Sequence, residues 1–176
     1  HVGKQVSRGP VWEFTAVKEQ KREPKYFIKS LPPNGVDLRS MGKRNWGEAK
    51  VVMQLEAGEA HISVEKVGAH KHEAGAGINL GPYTSMLKNG KVSIEIDISA
   101  DRDVDISIKS YFTHVKAPKQ KQQSYSLKKG INRITFTWDW NIPVGRLKRP
   151  PYMFLQLGNA AGVEYIVHGM TIVSGQ

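Results

Sequence analysis

Three observations predict an all-β fold, an antiparallel β-sandwich or barrel with little or no helix. Three long stretches, 91–99, 104–112 and 132–140, alternate apolar and polar residues. The separators between patterned stretches are turn formers: Asn89-Gly90, Ala100-Asp101 and Lys129-Gly130. No segment repeats apolar residues every 3.6 positions over a helical length. A period of two puts one strand face in a core and the other in solvent. About ten such strands with no helices between them fit two packed sheets or one closed on itself.

Taken in order, residues 1–10 read as a polar, flexible arm, and 11–176 as a single domain. "VWEFTAV" (11–17) opens the domain as a strand with Trp12, Phe14 and Ala16 on one side, and the charged "KEQKREPK" (18–25) is an exposed loop. Turn formers dominate "SLPPNGVDLRSMGKRNWG" (30–47), which reads as irregular. "VVMQLEA" (51–57) and "HISVEKV" (61–67) are strands on either side of Gly58, and "GINL" (77–80) is stopped by Gly81-Pro82. In "KVSIEIDIS" (91–99), Val92, Ile94, Ile96 and Ile98 point one way; in "VDISIKSYF" (104–112), Val104, Ile106, Ile108 and Phe112 keep the same beat. "NRITFTWDW" (132–140) repeats it with Ile134, Phe136, Trp138 and Trp140, so Trp12, Trp138 and Trp140 are expected in the core. The last strands flank a soft loop, Gly158 to Gly162, within "YMFLQLGNAAGVEYIVHGMTIV" (152–173).

A chain of 176 residues is long enough for one domain with a sizeable core. It begins with His1 and no charged-then-apolar leader follows, the expectation for a processed or excised chain whose export signal is already gone. No apolar run approaches the length of a membrane-spanning helix, about 18 residues. Cysteine is absent, which excludes disulfides and thiolate metal sites without fixing the compartment. The net charge of +10 is uneven. Nine Lys/Arg and only Asp139 among acids fall between Lys116 and Arg149, whereas Glu95, Asp97, Asp101, Asp103 and Asp105 face a single Arg102 between 95 and 105. Clustered positive charge favours a polyanionic partner; an acidic face paired against a basic one accounts for the same pattern.

Catalytic constellations are weak. The chain has no phosphate-binding loop, nucleophile elbow, H-E-x-x-H or Rossmann glycine pattern. His70, His72 and Glu73 in "AHKHEAG" offer two metal ligands from one strand face, short of the three or four that zinc requires, so no metal is assigned. Asp97, Asp105, Asp139 and Glu164 are the carboxylates from which a glycosidase pair would have to come, and Tyr111 with His114 is the pair that elimination on a uronic acid polymer would use. Binding features are better represented, because an aromatic ring can carry the C–H face of a sugar while amides and charges take its hydroxyls. Trp46 lies in the polar "KRNWGE", without periodic support for burial, and Tyr111 shares the polar phase of Asp105, Ser107 and Lys109.

The order of motifs adds a resemblance. "GAGINLGPYTSMLKNGKVSIEIDISADRDVDISIKSYF", then "YSLKKGINRITFTW", then "YMFLQLGNAAGVEYIVHGMTIV" resemble the central and closing signatures of the carbohydrate-binding modules of families 4, 9 and 16, over about two thirds of the chain, from Ala60 to Val173. The resemblance implies a galactose-binding-like jelly roll that binds polysaccharide without cleaving it. It further implies a secreted or cell-surface protein with a catalytic domain in the parent glycan-degrading enzyme. Carried over by position, the ligand contacts are Asn79 in "GINL", Lys109 and Tyr111 in "ISIKSYF" and Gln156 in "FLQLG", with Gln54 and Trp46 as additions. The family's last strand usually carries an aspartate that helps hold a structural calcium; His168 stands there in "YIVHGM", so calcium is disfavoured and no cofactor is expected. The basic residues Lys119, Lys121, Arg146 and Lys148, read as loops, suit an acidic glycan.

Two rivals remain at this level. One is a β-sandwich polysaccharide lyase or glycoside hydrolase. The other is a basic jelly-roll capsid or nucleic-acid-binding protein, disfavoured because the basic cluster lies mid-chain and the aromatics lack the spacing of a base-stacking platform.

Overall fold

In the computed structural model the described residues are 31–87, 90–113, 118–140 and 150–174; at 90, 111–113, 118–120, 138–140 and 174 the description is of the backbone. The expected arm at 1–10, the expected strand at 11–17 with Trp12, and the residues His114, Arg146 and Lys148 lie outside the described residues. Among the described residues ten strands form: β1 (Met41–Asn45), β2 (Lys50–Glu56), β3 (Glu59–Lys66), β4 (Ala74–Asn79), β5 (Gly90–Ala100), β6 (Val104–Thr113), β7 (Pro118–Leu127), β8 (Gly130–Trp140), β9 (Tyr152–Gln156) and β10 (Val163–Ser174). Described helix is limited to three 3-10 turns of three residues each. The fold is an all-β sandwich.

The strands build two antiparallel five-stranded sheets, β2-β3-β10-β5-β8 and β1-β4-β9-β6-β7. Only β2–β3 and β6–β7 are consecutive strands within one sheet; at every other step between the described strands the chain crosses from one sheet to the other, the winding of a jelly roll. Alternation explains the packing between the sheets. Val92, Ile94, Ile96 and Ile98 of β5 lose all solvent contact with Ile62 and Val64 of β3 and Val163 and Val167 of β10, while Ala76, Ile106, Ile108 and Met153 close the core from the other sheet. Burying a side chain of this kind contributes about 1.5–3 kcal/mol, so the alternating stretches supply most of the driving force for the sandwich.

Two elements depart from the sequence expectation. The stretch 30–47 contains a strand, β1, and the run "PKQKQQSYSL" is β7. Lys119 and Lys121 therefore belong to a strand and not to a loop. Among the described strands both lie at sheet edges, where only one flank needs a hydrogen-bonded partner and polar or charged residues discourage further pairing.

The acidic run 95–105 is largely consumed within the fold. Asp97 on β5 takes a two-pronged contact from Arg133 on β8, 2.7 Å from Nε and 3.0 Å from the terminal nitrogen. Asp103 accepts from Lys128 Nζ at 2.9 Å and the Lys129 amide at 2.8 Å, and Asp101 pairs with Arg102. Hydrogen bonding from Arg133, Arg102 and Lys128 respectively holds the Asp97, Asp101 and Asp103 carboxyls below their ordinary range. A carboxylate so lowered favours the folded state above its unfolded value, about 3.9, and that contribution fades as pH falls through the depressed value. These pairs are exposed and contribute little each, but they neutralise part of the basic stretch.

Candidate functional site

The outer face of the β1-β4-β9-β6-β7 sheet is built by register. Residues opposite one another across the strands form rows that run perpendicular to the chain. One row is Arg44, Gly75, Gln156, Ser107 and Ser124; the next is Gly42, Gly77, Phe154, Lys109 and Gln122; a third begins at Asn79 and continues through Tyr152, Tyr111 and Gln120. The neighbours of these residues along β4 and β9, Ala76, Ile78, Met153 and Leu155, point into the core.

Glycine at 75 and 77 lets aromatic side chains lie flat on the sheet. A Cβ at Gly77 would stand 2.0 Å from the Tyr152 hydroxyl oxygen and 2.4 Å from its ring carbons, so the Tyr152 ring occupies the space a side chain would take. Arg44 is fixed on top of that tyrosine: its Nε donates to Tyr152 Oη at 2.8 Å and its guanidinium carbon lies 4.8 Å from the ring centroid. Phe154, buried but outside the core cluster, meets Trp46 with ring centroids 5.7 Å apart at 45°. Trp46 stays 47% exposed, so one large aromatic surface is open to a ligand.

Trp46 is positioned by backbone contacts. Its amide donates to the Glu73 carbonyl at 2.9 Å and its carbonyl accepts from the Ala49 amide at 3.1 Å. Gly47, next in sequence, has a φ of 57°, the left-handed region that glycine enters without strain. The Glu73 side chain fills the space beside Gly47 and Gly68.

No acidic partner reaches Arg44 among the described residues. This separates it from Arg133 and Lys128, whose charges are matched. Gln156 is 3% exposed and its side-chain carbonyl oxygen accepts from no described residue. A buried acceptor left unpaired costs about 1–3 kcal/mol, which a donated hydroxyl or water would relieve.

Of the residues expected from sequence, Trp46, Asn79, Lys109, Tyr111 and Gln156 fall on this sheet or the turn that follows β1. Asn79 is exposed, and its side-chain oxygen accepts from the Gly81 amide at 2.8 Å. Gln54 does not join them. It lies on β2 opposite His61, in the other sheet. Lys121 pairs with Ser110, which is fully buried, so it stands on the opposite phase from Lys109 and Gln122; Lys119 pairs with Phe112. Arg44, Tyr152, Phe154 and Gln122 share this face and join the candidates. A signal existed for two of them, since Tyr152 and Phe154 share the phase of Gln156 in "YMFLQ".

The described residues of the other candidate chemistries are spread over both sheets and a 3-10 turn. His70 and His72 stack on each other at 5.3 Å around a 3-10 turn, Lys71–Glu73, rather than on a strand face. Asp97 is tied to Arg133 and Glu164 accepts from Ser63 on the β2-β3-β10-β5-β8 sheet, while Asp105 lies on the other sheet. His168 sits where the β10–β5 register shifts, with Nδ1 2.9 Å from Glu59 Oε1 and Nε2 3.0 Å from Ser99 Oγ. Calcium takes six to eight oxygen ligands, and this nitrogen-centred set, with both ring nitrogens engaged, does not fit it. No cluster of three or more His, Asp or Glu among the described residues is arranged to hold a metal ion.

Comparison with solved structures places this architecture. A family 4 carbohydrate-binding module superposes with a TM-score of 0.58 at 17% identity, covering 76% of this chain and 86% of that one. The fold is shared with carbohydrate-binding modules of families 4 and 22. The N-terminal cellulose-binding domain of Cellulomonas fimi β-1,4-glucanase C gives a TM-score of 0.58 at 14% identity over 84% of this chain and 98% of its own. The CBM22-1–GH10 modules of Clostridium thermocellum endo-1,4-β-D-xylanase 10B, solved with xylohexaose, give 0.52 at 8% identity over 80% of this chain and 27% of theirs. No protein-family model matches the sequence, and no curated protein matches it.

Proposed function

We propose that this chain is a non-catalytic module that binds an acidic polysaccharide on the outer face of the β1-β4-β9-β6-β7 sheet. The observation that carries the reading is the pairing of an exposed Trp46 with Arg44, a half-buried guanidinium held on Tyr152 with no described carboxylate to match it. Trp46, with Phe154 behind it, offers a surface for the C–H face of a sugar ring. Arg44 supplies planar donors matched to a carboxylate or sulfate. Lys109 adds a cation two strands from Gly77, and Asn79, Gln122 and Gln156 supply amides for hydroxyls. Neighbours in fold that belong to a glucanase and a xylanase support a parent enzyme that degrades glycans, with a catalytic domain as the covalent partner and a secreted or cell-surface location.

Affinity electrophoresis through gels containing a neutral β-glucan, alginate or a sulfated galactan tests this reading. Retardation is expected in at least one acidic gel, more at low salt than at high, with little in neutral glucan, because an ion pair at this sheet face is screened over about 8 Å at physiological ionic strength. Equal mobility in every gel, or depolymerisation with a rise in ultraviolet absorbance, contradicts it. Steep salt-dependent binding to RNA in place of glycan supports the rival class.

A further inference from the structure

A cavity of about 540 Å³ opens at the β6–β7 end of the same sheet, beyond the aromatic patch. Its polar lining comes from Lys71, Asp105, Ser107, Ser124, Ser126 and Asn159. Ser107 and Ser124 hydroxyls meet at 3.1 Å, Ser126 Oγ donates to Asp105 Oδ1 at 2.6 Å, and Asn159 Nδ2 donates to the Asp105 carbonyl. Ser107 is the cross-strand neighbour of Gln156, whose buried side-chain carbonyl oxygen is unpartnered. The volume lies within the 300–1,000 Å³ usual for small-molecule sites.

We propose that this cavity is a second sugar subsite for a neutral, hydroxyl-bearing unit, so that the preferred glycan carries its acidic groups at intervals and not on every residue. The inference rests on the glycan-binding reading above and deepens it. Hydroxyls donate and accept together, and the cavity offers both: the Asp105 carboxylate accepts, Lys71 and Asn159 donate, and the serines do either. Lys71 and Asp105 offset each other, so the cavity has no net attraction for an anion, and a ligand carboxylate there would meet the charge of Asp105. The Arg44 end is the reverse, a cation with no described carboxylate beside it. Three inter-strand steps separate Arg44 from Ser107, roughly 14 Å, which exceeds the screening length of about 8 Å and lets the two ends act independently.

The test is isothermal titration of the full chain, Asp105→Asn and Ser124→Lys with a galactan sulfated on alternate residues, with alginate, which is charged on every residue, and with an unsubstituted β-glucan. Both positions are exposed, and two different changes guard against a folding defect in either. The unsubstituted chain should favour the alternately charged galactan by about ten-fold over both others. Each variant should raise alginate affinity by about three-fold or more and lower galactan affinity by about two-fold or more, because the neutral unit loses hydroxyl partners in the cavity. The inference is overturned if alginate binds as tightly as the galactan, or if the variants leave alginate affinity unchanged or shift all three ligands alike; glycan binding itself then stands. Binding to none of the three overturns the glycan-binding reading and the inference with it.

Discussion

Gly77→Val is expected to weaken binding of the acidic glycan by about 30-fold or more while the sandwich remains folded. The added Cβ would fall 2.0 Å from the Tyr152 hydroxyl oxygen and 2.4 Å from two ring carbons. Those atoms are the far end of a side chain, so the ring can swing away without parting the strands. Leaving, it takes away the acceptor of the Arg44 Nε hydrogen bond and the ring beneath the guanidinium. One substitution therefore removes the flat floor and unfixes the cation, and calorimetry with the retained glycan, beside a thermal melt, separates lost binding from lost structure.

The neighbouring glycine should behave in the opposite way. Gly75→Ala is expected to destabilise the domain by about 3 kcal/mol or more, lowering the thermal midpoint by roughly 6–12 °C for a chain of this size. Here the new methyl would meet the Leu155 carbonyl oxygen at 1.9 Å and its carbon at 3.0 Å. These are backbone atoms of β9, paired with β4 through the middle of the sheet, so relief requires the strands to separate. A melt of Gly75→Ala within about 2 °C of the unsubstituted chain would contradict this packing. The two glycines are two residues apart on one strand face, yet one shapes the ligand surface and the other the sheet.

That contrast also marks what the sequence made legible. The strands β5, β6 and β8 announce themselves because one face of each lies in the core, so the hydrophobic drive and the period of two coincide. Edge strands carry no such mark. "PKQKQQSYSL" has polar residues on both phases, and "MGKRN" lacks strong strand formers, so β7 and β1 emerge only from pairing with β6 and β4. Phase tells that Gln54 and Gln156 alternate with core residues but not which sheet each joins; the fold puts them on opposite layers. Trp46 stood out because a polar loop gives an aromatic no periodic reason to be buried. Arg44 could not stand out, since its role comes from Tyr152, 108 residues later, brought near by β4 lying between their strands. The acidic run likewise gave no sign that Asp97 and Asp103 would meet Arg133 and Lys128 across the β5–β8 pair and the turns beside it.

The central claim, that a sugar ring rests on Trp46 beside Arg44, is tested most directly by calorimetric titration of the unsubstituted chain and of Trp46→Ala with the acidic glycan that retards the protein in gels. Trp46 is half exposed and contributes nothing to the core cluster, so its removal should leave the melt nearly unchanged. The account predicts a loss of affinity of about ten-fold or more for Trp46→Ala, the scale of an aromatic anchor at a binding surface. An affinity equal to that of the unsubstituted chain would contradict it.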